Sequence, residues 1–267
     1  MEKRGGNGMA WTYTESGPID APLLLFVHGG GVGGWMWDRQ VEHFRHAHCL
    51  VPEWSEQDGT GEDELFTIEK SAEALIRLAE RKSAGRPIVA VGFSLGAQIV
   101  MQMMSDRPDL LSGAMLGSGS IYPASLARPL VGPLISLFYS LMRSRKFAAL
   151  QARSLYVPGE QFDTYYAHSL GISRAGLIRT VRESLGYRLP AGFAYSTARL
   201  LVTVGEEESG SMRRSARDLA QMRAGSELVV RPGIGHGFSL AQPEAFNALL
   251  ARWLEEGGLL PRRGSGR

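Results

Sequence analysis

Runs of aliphatic and β-branched residues recur along the chain at positions 21–28, 49–52, 87–92, 113–116, 200–205 and 227–231. Short apolar runs of this kind, bounded by polar or turn-forming residues, predict strands buried on both faces. Between them, apolar residues at helical spacing predict helices over 37–46, 67–82, 97–105, 211–223 and 244–256. Alternation of strand and helix implies an α/β fold, a mostly parallel, doubly wound sheet covered by helices on both sides.

One interval breaks the rhythm. From 120 to 198 no strand pattern appears, only helix-like segments punctuated by Pro123, Pro129, Pro133, Pro158 and Pro190. The expectation is a helical cap over 120–198 inserted into a sheet domain made of 1–119 and 199–258, followed by a disordered tail at 259–267. The cap residues Leu134, Leu137, Phe138, Tyr139, Leu141 and Met142 could face a pocket, and packing within the cap is the favoured reading.

Composition narrows the field. At 267 residues the chain suits one domain with an insertion. Lys and Arg number 29 against 27 Asp and Glu, a formal charge of +2, far from the dense basic face of a nucleic-acid binder. Residues 1–8 include basic residues with no apolar stretch behind them, so no secretion signal is read. No apolar run reaches the length of about 20 residues that spans a bilayer, so a soluble protein without a membrane partner is expected. The lone Cys49 allows no intrachain disulfide and reads as a buried strand residue in a reducing, cytoplasmic setting. The sequence leaves the oligomeric state open.

The chemistry centres on Val91-Gly92-Phe93-Ser94-Leu95-Gly96. A Gly-x-Ser-x-Gly pattern is weak alone, but this one follows a predicted strand and precedes a predicted helix. A sharp strand-to-helix turn holds its serine in an unfavourable backbone region, and side chains two positions away on either side would collide, hence Gly92 and Gly96. A serine hydroxyl needs a general base, and the base needs a group to fix its tautomer. Of six histidines, His236 lies between the last predicted strand and the last helix, where catalytic loops collect. The strand at 200–205 runs into Glu206-Glu207-Glu208, so one of these three carboxylates is the candidate acid, in the chain order serine, acid, histidine.

Together these segments resemble the α/β-hydrolase superfamily, specifically its small capped hydrolases and esterases. The likeness runs from about Trp11 to Leu254 and includes His28-Gly29-Gly30-Gly31 after the third strand of that fold. The resemblance implies a carboxylic-ester-type hydrolase with a Ser94–His236–Glu208 triad and an acyl-enzyme intermediate. Glu208 is selected because the family acid commonly sits three residues beyond the strand's glycine; aspartate is usual there. Some members carry the acid one strand earlier, and the corresponding Leu116-Gly117-Ser118-Gly119-Ser120 has no carboxylate. The resemblance also implies an oxyanion hole formed by the backbone N–H groups of Leu95 and of Gly30 or Gly31, a small-molecule substrate, and no metal or organic cofactor.

Rival readings use the same residues. Gly29 to Gly34 satisfies Gly-x-Gly-x-x-Gly, with Glu53 about 20 residues on, a formal dinucleotide-binding fingerprint. Pro52 predicts a turn at Glu53, and no Tyr-x-x-x-Lys pair occurs, so an NAD(P)-binding oxidoreductase ranks behind. His43, His46 and His48 lack nearby partners that would complete a metal site. Trp35 and Trp37 could line an acyl pocket or serve the core, and His168 reads as structural. A triad-retaining small-ligand receptor, or a lyase or synthase on the same fold, stays open as an alternative. The serine itself disfavours the aspartate-nucleophile branches of the superfamily.

Overall fold

Strands without a polar face need cover on both sides, and every residue of β2 (Leu23–Val27), β4 (Ile88–Phe93) and β5 (Gly113–Gly117) is buried. The computed structural model describes residues 11–54 and 65–261. It joins these strands to β1 (Trp11–Ser16), β3 (His48–Trp54), β6 (Arg199–Gly205) and β7 (Glu227–Arg231). The seven-stranded sheet has the order β1-β3-β2-β4-β5-β6-β7. Only β1 runs antiparallel; all other neighbours are parallel.

Alternate residues of the strands feed two cores. Leu23, Leu25 and Val27 face α2 (Ile68–Ser83), α3 (Leu95–Asp106) and α8 (Gly210–Gln221). Leu24 and Phe26 face the opposite layer, built from α1 (Asp38–His43), α9 (Phe238–Ala241) and α10 (Pro243–Glu256). Trp37 closes that layer against Phe26 and Phe246 at ring separations of 5.4 and 5.9 Å.

Between β5 and β6 there are four longer helices, α4 (Arg128–Met142), α5 (Arg145–Ser154), α6 (Phe162–Gly171) and α7 (Arg174–Gly186), and no strand. Pro129 and Pro133 lie within α4 rather than between helices. Val131, Gly132 and Ile135 form its buried side. Leu134, Phe138, Leu141 and Met142 line an open apolar groove of about 270 Å³ together with Ile135 and with Phe147 of α5, whereas Leu137 faces outward at 74% exposed. Helix α4 has more apolar residues than one buried face can cover. Tyr139 does pack within the cap, donating its hydroxyl to the Ile172 carbonyl at 2.8 Å.

Three local expectations need correction. Strand β3 continues through Pro52 to Trp54 instead of turning. Its pairing with β2 stops at Leu25↔Leu50, so Pro52 sits where β3 has only β1 beside it, and a missing N–H is tolerated there. Trp37 belongs to a 3-10 turn at Gly34–Trp37, and the helix begins at Asp38. At the other end, Leu260 is buried and Leu259 donates its N–H to the Leu254 carbonyl at 2.8 Å, so the chain stays packed past 258. Residues 1–8 and 262–267, on which the leader and tail readings fall, lie outside the described residues.

The strand order positions the site. The chain leaves β2 toward β3 on one side and leaves β4 toward β5 on the other, so the loops at their carboxyl ends diverge and open a crevice. That crevice is narrow at its floor. A Cβ on Gly96 would lie 2.2 Å from the Val27 carbonyl oxygen and 2.4 Å from that of His28. Backbone cannot yield as a side chain does, so Gly96→Ala is expected to destabilise the protein by about 1–3 kcal/mol. A urea titration would show this as a lower midpoint at unchanged slope.

Candidate active site

Ser94 is the hinge between β4 and α3, with φ 54° and ψ −115°. A non-glycine residue in this region carries about 1–3 kcal/mol of strain and persists only where its surroundings over-determine it. Here they do. The Ser94 N–H donates to the Gly117 carbonyl at 2.8 Å, and the Ser94 carbonyl accepts from Ala97 and Gln98. A Cβ on Gly92 would meet the Gly96 oxygen at 2.6 Å and the Ala97 Cα at 2.7 Å, so the turn closes only with glycine there. The result is a half-buried serine between two buried neighbours, Phe93 and Leu95.

Two further loops arrive at this elbow. At the end of β6, a Cβ on Gly205 would lie 2.2 Å from the Ile234 oxygen and 2.4 Å from the Gly235 oxygen, so the loop after β7 folds directly over it. This close approach joins Glu208 to His236, Nδ1 to Oε2 at 2.9 Å. The other carboxylate oxygen accepts from the Gly205 N–H at 3.0 Å and the Ser118 hydroxyl at 2.6 Å. Glu208 is only 8% exposed. Burial pushes its pKa up, but His236, Ser118 and the Gly205 N–H outweigh that and hold the carboxyl below the usual glutamate range. Glu206 and Glu207 are exposed, and Glu206 accepts instead from the Gly233 N–H at 3.1 Å. Phe93, the residue before Ser94, lies 4.7 Å from the His236 ring, centroid to centroid.

Ser118 went unrecognised in the sequence. It follows β5 at φ 54°, a conformation suited to glycine, and supplies a hydroxyl to the acid from the strand where some relatives carry the acid itself. The only signal was a serine within Gly117-Ser118-Gly119 at a strand end.

The glycine loop after β2 forms the opposite wall. The position a Gly30 Cβ would occupy is 3.4 Å from Leu95 Cδ2 and 3.2 Å from Thr180 Cγ2, so Gly30 lies between the start of α3 and the cap. The Leu95 N–H opens α3, where amides lack intrahelical partners. Gly31 has φ +72° and nothing within 4 Å of its Cβ position. Glu53 turns back onto this loop, accepting the Gly34 N–H and lying 3.3 Å from His28 Nε2. A carboxylate engaged in this way does not extend toward a ribose.

The remaining candidates are structural. His48 contacts Glu15 at 2.9 Å, His46 is exposed, and His43 packs edge-on against Phe44. Trp37 is core, and Trp35 packs against Tyr165 of α6. Cys49 is buried in β3, and burial pushes its thiol up to about 12. Among the described residues no group of three or more His, Cys, Asp or Glu is placed to hold a metal ion, and no helix is long and apolar enough to cross a membrane.

Comparison with known proteins identifies the family and the fold. The alpha/beta hydrolase family matches residues 24–249. An AB hydrolase superfamily protein of Gibberella zeae is 23% identical over 249 residues, covering 91% of this chain and 83% of its own. The pimeloyl-[acyl-carrier protein] methyl ester esterase of Neisseria meningitidis serogroup B is 26% identical, covering 91% and 96%. A hydrolase from Pseudomonas aeruginosa PA01 shares the fold, with a TM-score of 0.79 at 18% identity and coverage of 95% and 97%. The chain belongs to the alpha/beta hydrolase family and is a hydrolase of that fold.

Proposed function

We propose that this hydrolase is a serine esterase cleaving an ester or related carbonyl compound of small size through Ser94, His236 and Glu208. The observation that carries the reading is the buried Glu208 carboxylate bonded to His236 Nδ1, on the loop that packs against the strained Ser94 elbow. With Nδ1 engaged, Nε2 is the ring nitrogen left to take the serine proton. Ser94 Oγ bonds to the carbonyl carbon, its proton passes to Nε2, and the oxygen that gains negative charge meets the N–H groups of Leu95 and Gly30. The intermediate then expels the alcohol, which receives the proton from His236. Water, deprotonated by the same imidazole, releases the acid and restores Ser94.

The curated relative named as a methyl ester esterase supports an ester substrate, and nothing in the scheme calls for a cofactor. The lone, buried Cys49 suits a cytoplasmic enzyme.

Ser94→Ala should lower turnover of a short p-nitrophenyl ester by about 10³-fold or more, with an unchanged circular dichroism spectrum. Wild-type levels of turnover would refute the assignment. Glu208→Gln should cost on the order of 10²- to 10⁴-fold in kcat, while Glu206→Gln and Glu207→Gln stay near wild type; equal losses in all three would remove Glu208 from its role.

The depressed Glu208 pKa has a stability consequence. A carboxyl whose folded pKa lies below its unfolded value of about 4.3 stabilises the protein above that pH, and the contribution is lost as pH falls through the folded pKa. Urea midpoints taken from pH 6 down to pH 3 should fall more steeply for the wild type than for Glu208→Gln; parallel curves would contradict the shift.

A further inference from the structure

The loop His28 to Gly34 contains five glycines, Gly29, Gly30, Gly31, Gly33 and Gly34. Glycine suits a backbone that must approach a substrate, yet it leaves the chain more conformational freedom than any other residue. An oxyanion donor, by contrast, stabilises a transition state only when it is fixed beforehand. Something outside the loop must therefore immobilise it.

We propose that Glu53 is a positioning residue that fixes the oxyanion loop, clamping both of its ends so that the Gly30 N–H stays beside Leu95. The inference rests on the assignment of Gly30 and Leu95 made above. Glu53 is near the end of β3, directly beneath the loop. Its Oε1 accepts the N–H of Gly34 at the far end. Its Oε2 lies 3.3 Å from Nε2 of His28 at the near end. His28 is buried and stacked on Trp54 at 3.5 Å, with Nδ1 2.8 Å from the Gly29 carbonyl oxygen; a neutral imidazole carries one N–H and bonds only one of the two facing oxygens, while burial and the stack hold the ring against the peptide that leads into Gly30.

The fit at Gly34 is specific. A Cβ there would lie 2.6 Å from Glu53 Oε1 and 2.7 Å from Val51 Cγ1, so the carboxylate reaches the amide only because no side chain intervenes. Burial pushes the Glu53 carboxyl up, but His28, the Gly34 N–H and His168 together hold it below the usual range, so the clamp is ionised at neutral pH. From above, the cap presses on the same segment: His168 ring atoms lie 2.9 Å from the Gly33 Cβ position, and Thr180 covers Gly30.

A clamp on a transition-state donor should act on kcat rather than on substrate binding. With p-nitrophenyl acetate, Glu53→Ala is expected to lower kcat by about 10–100-fold, short of the about 10²–10³-fold that follows outright loss of a donor, with KM little changed. Glu53→Gln keeps an acceptor for Gly34 but not the charge facing His28, and should fall between Ala and wild type. Fluorophosphonate labelling of Ser94, which also develops a negative oxygen, should slow by the same factors. Urea midpoints establish which variants are folded, and if Glu53→Ala is not, Glu53→Gln carries the test alone. A folded variant with wild-type kcat and labelling rate, or one altered in KM only, overturns the proposal. Ser94→Ala run in parallel separates the two failures: activity there sinks the esterase reading itself, whereas an inactive Ser94→Ala beside fully active Glu53 variants sinks only the clamp.

Discussion

Where α3 begins, its backbone touches the end of β2 with no side chain between them, and Gly96 faces the carbonyl oxygens of Val27 and His28. The rest of the site depends on that contact. It requires β2 and β4 to be adjacent, which the strand order provides, and it requires the chain to turn within one residue at Ser94, which accounts for the positive φ there. It also carries the start of α3 to the glycine loop, so that Leu95 and Gly30 become neighbours although 65 positions separate them (95 − 30). A helix starting one turn later would leave the serine on an ordinary loop and the helix amides out of reach of the crevice.

The buried Glu208 carboxylate poses the opposite physical problem. Removing a charge from water costs several kcal/mol unless partners replace the lost hydration. Three donors do so here, one from backbone, one from Ser118 and one from His236. Only the last is a group that reaction chemistry can use; the other two fix the carboxylate so that the imidazole has one orientation. Ser118 holds a backbone conformation costly for serine, which makes sense only if its hydroxyl is needed at that point.

Much of this was legible in the chain itself. Central parallel strands are apolar at every position, so all six predicted strands fall within two residues of the observed ends, and β3 runs two residues past Pro52 because a one-sided pairing tolerates the missing N–H. Strand β1 escaped notice because Trp11–Ser16 mixes apolar and polar residues, as an edge strand does. Ser94, His236 and the glutamate run were visible because each sits at a strand end with its own local grammar. The functions of Ser118 and Glu53 were not visible, because they arise from contacts 90 and 19 positions away in the chain. The spacing to Glu53 that mimics a ribose-binding acid is the distance from one strand's glycine loop to the end of the next.

The cap reaches the site from two sides. Thr180 and His168 rest on the glycine loop, while Tyr156, itself at φ 58°, accepts the Gly235 N–H at 2.8 Å, one residue before His236. A Cβ on Gly237 would lie 2.8 Å from the Leu155 carbonyl oxygen, so the segment after α5 and the histidine loop meet backbone to backbone. These anchors come from α6, α7 and the segment after α5, and rest on main chain of the glycine loop and the histidine loop. Helix α4 makes none of them. It acts one step back: its buried face packs on α7, where a Cβ on Gly132 would lie 2.6 Å from an Arg182 guanidinium nitrogen, so it supports the helix that carries Thr180.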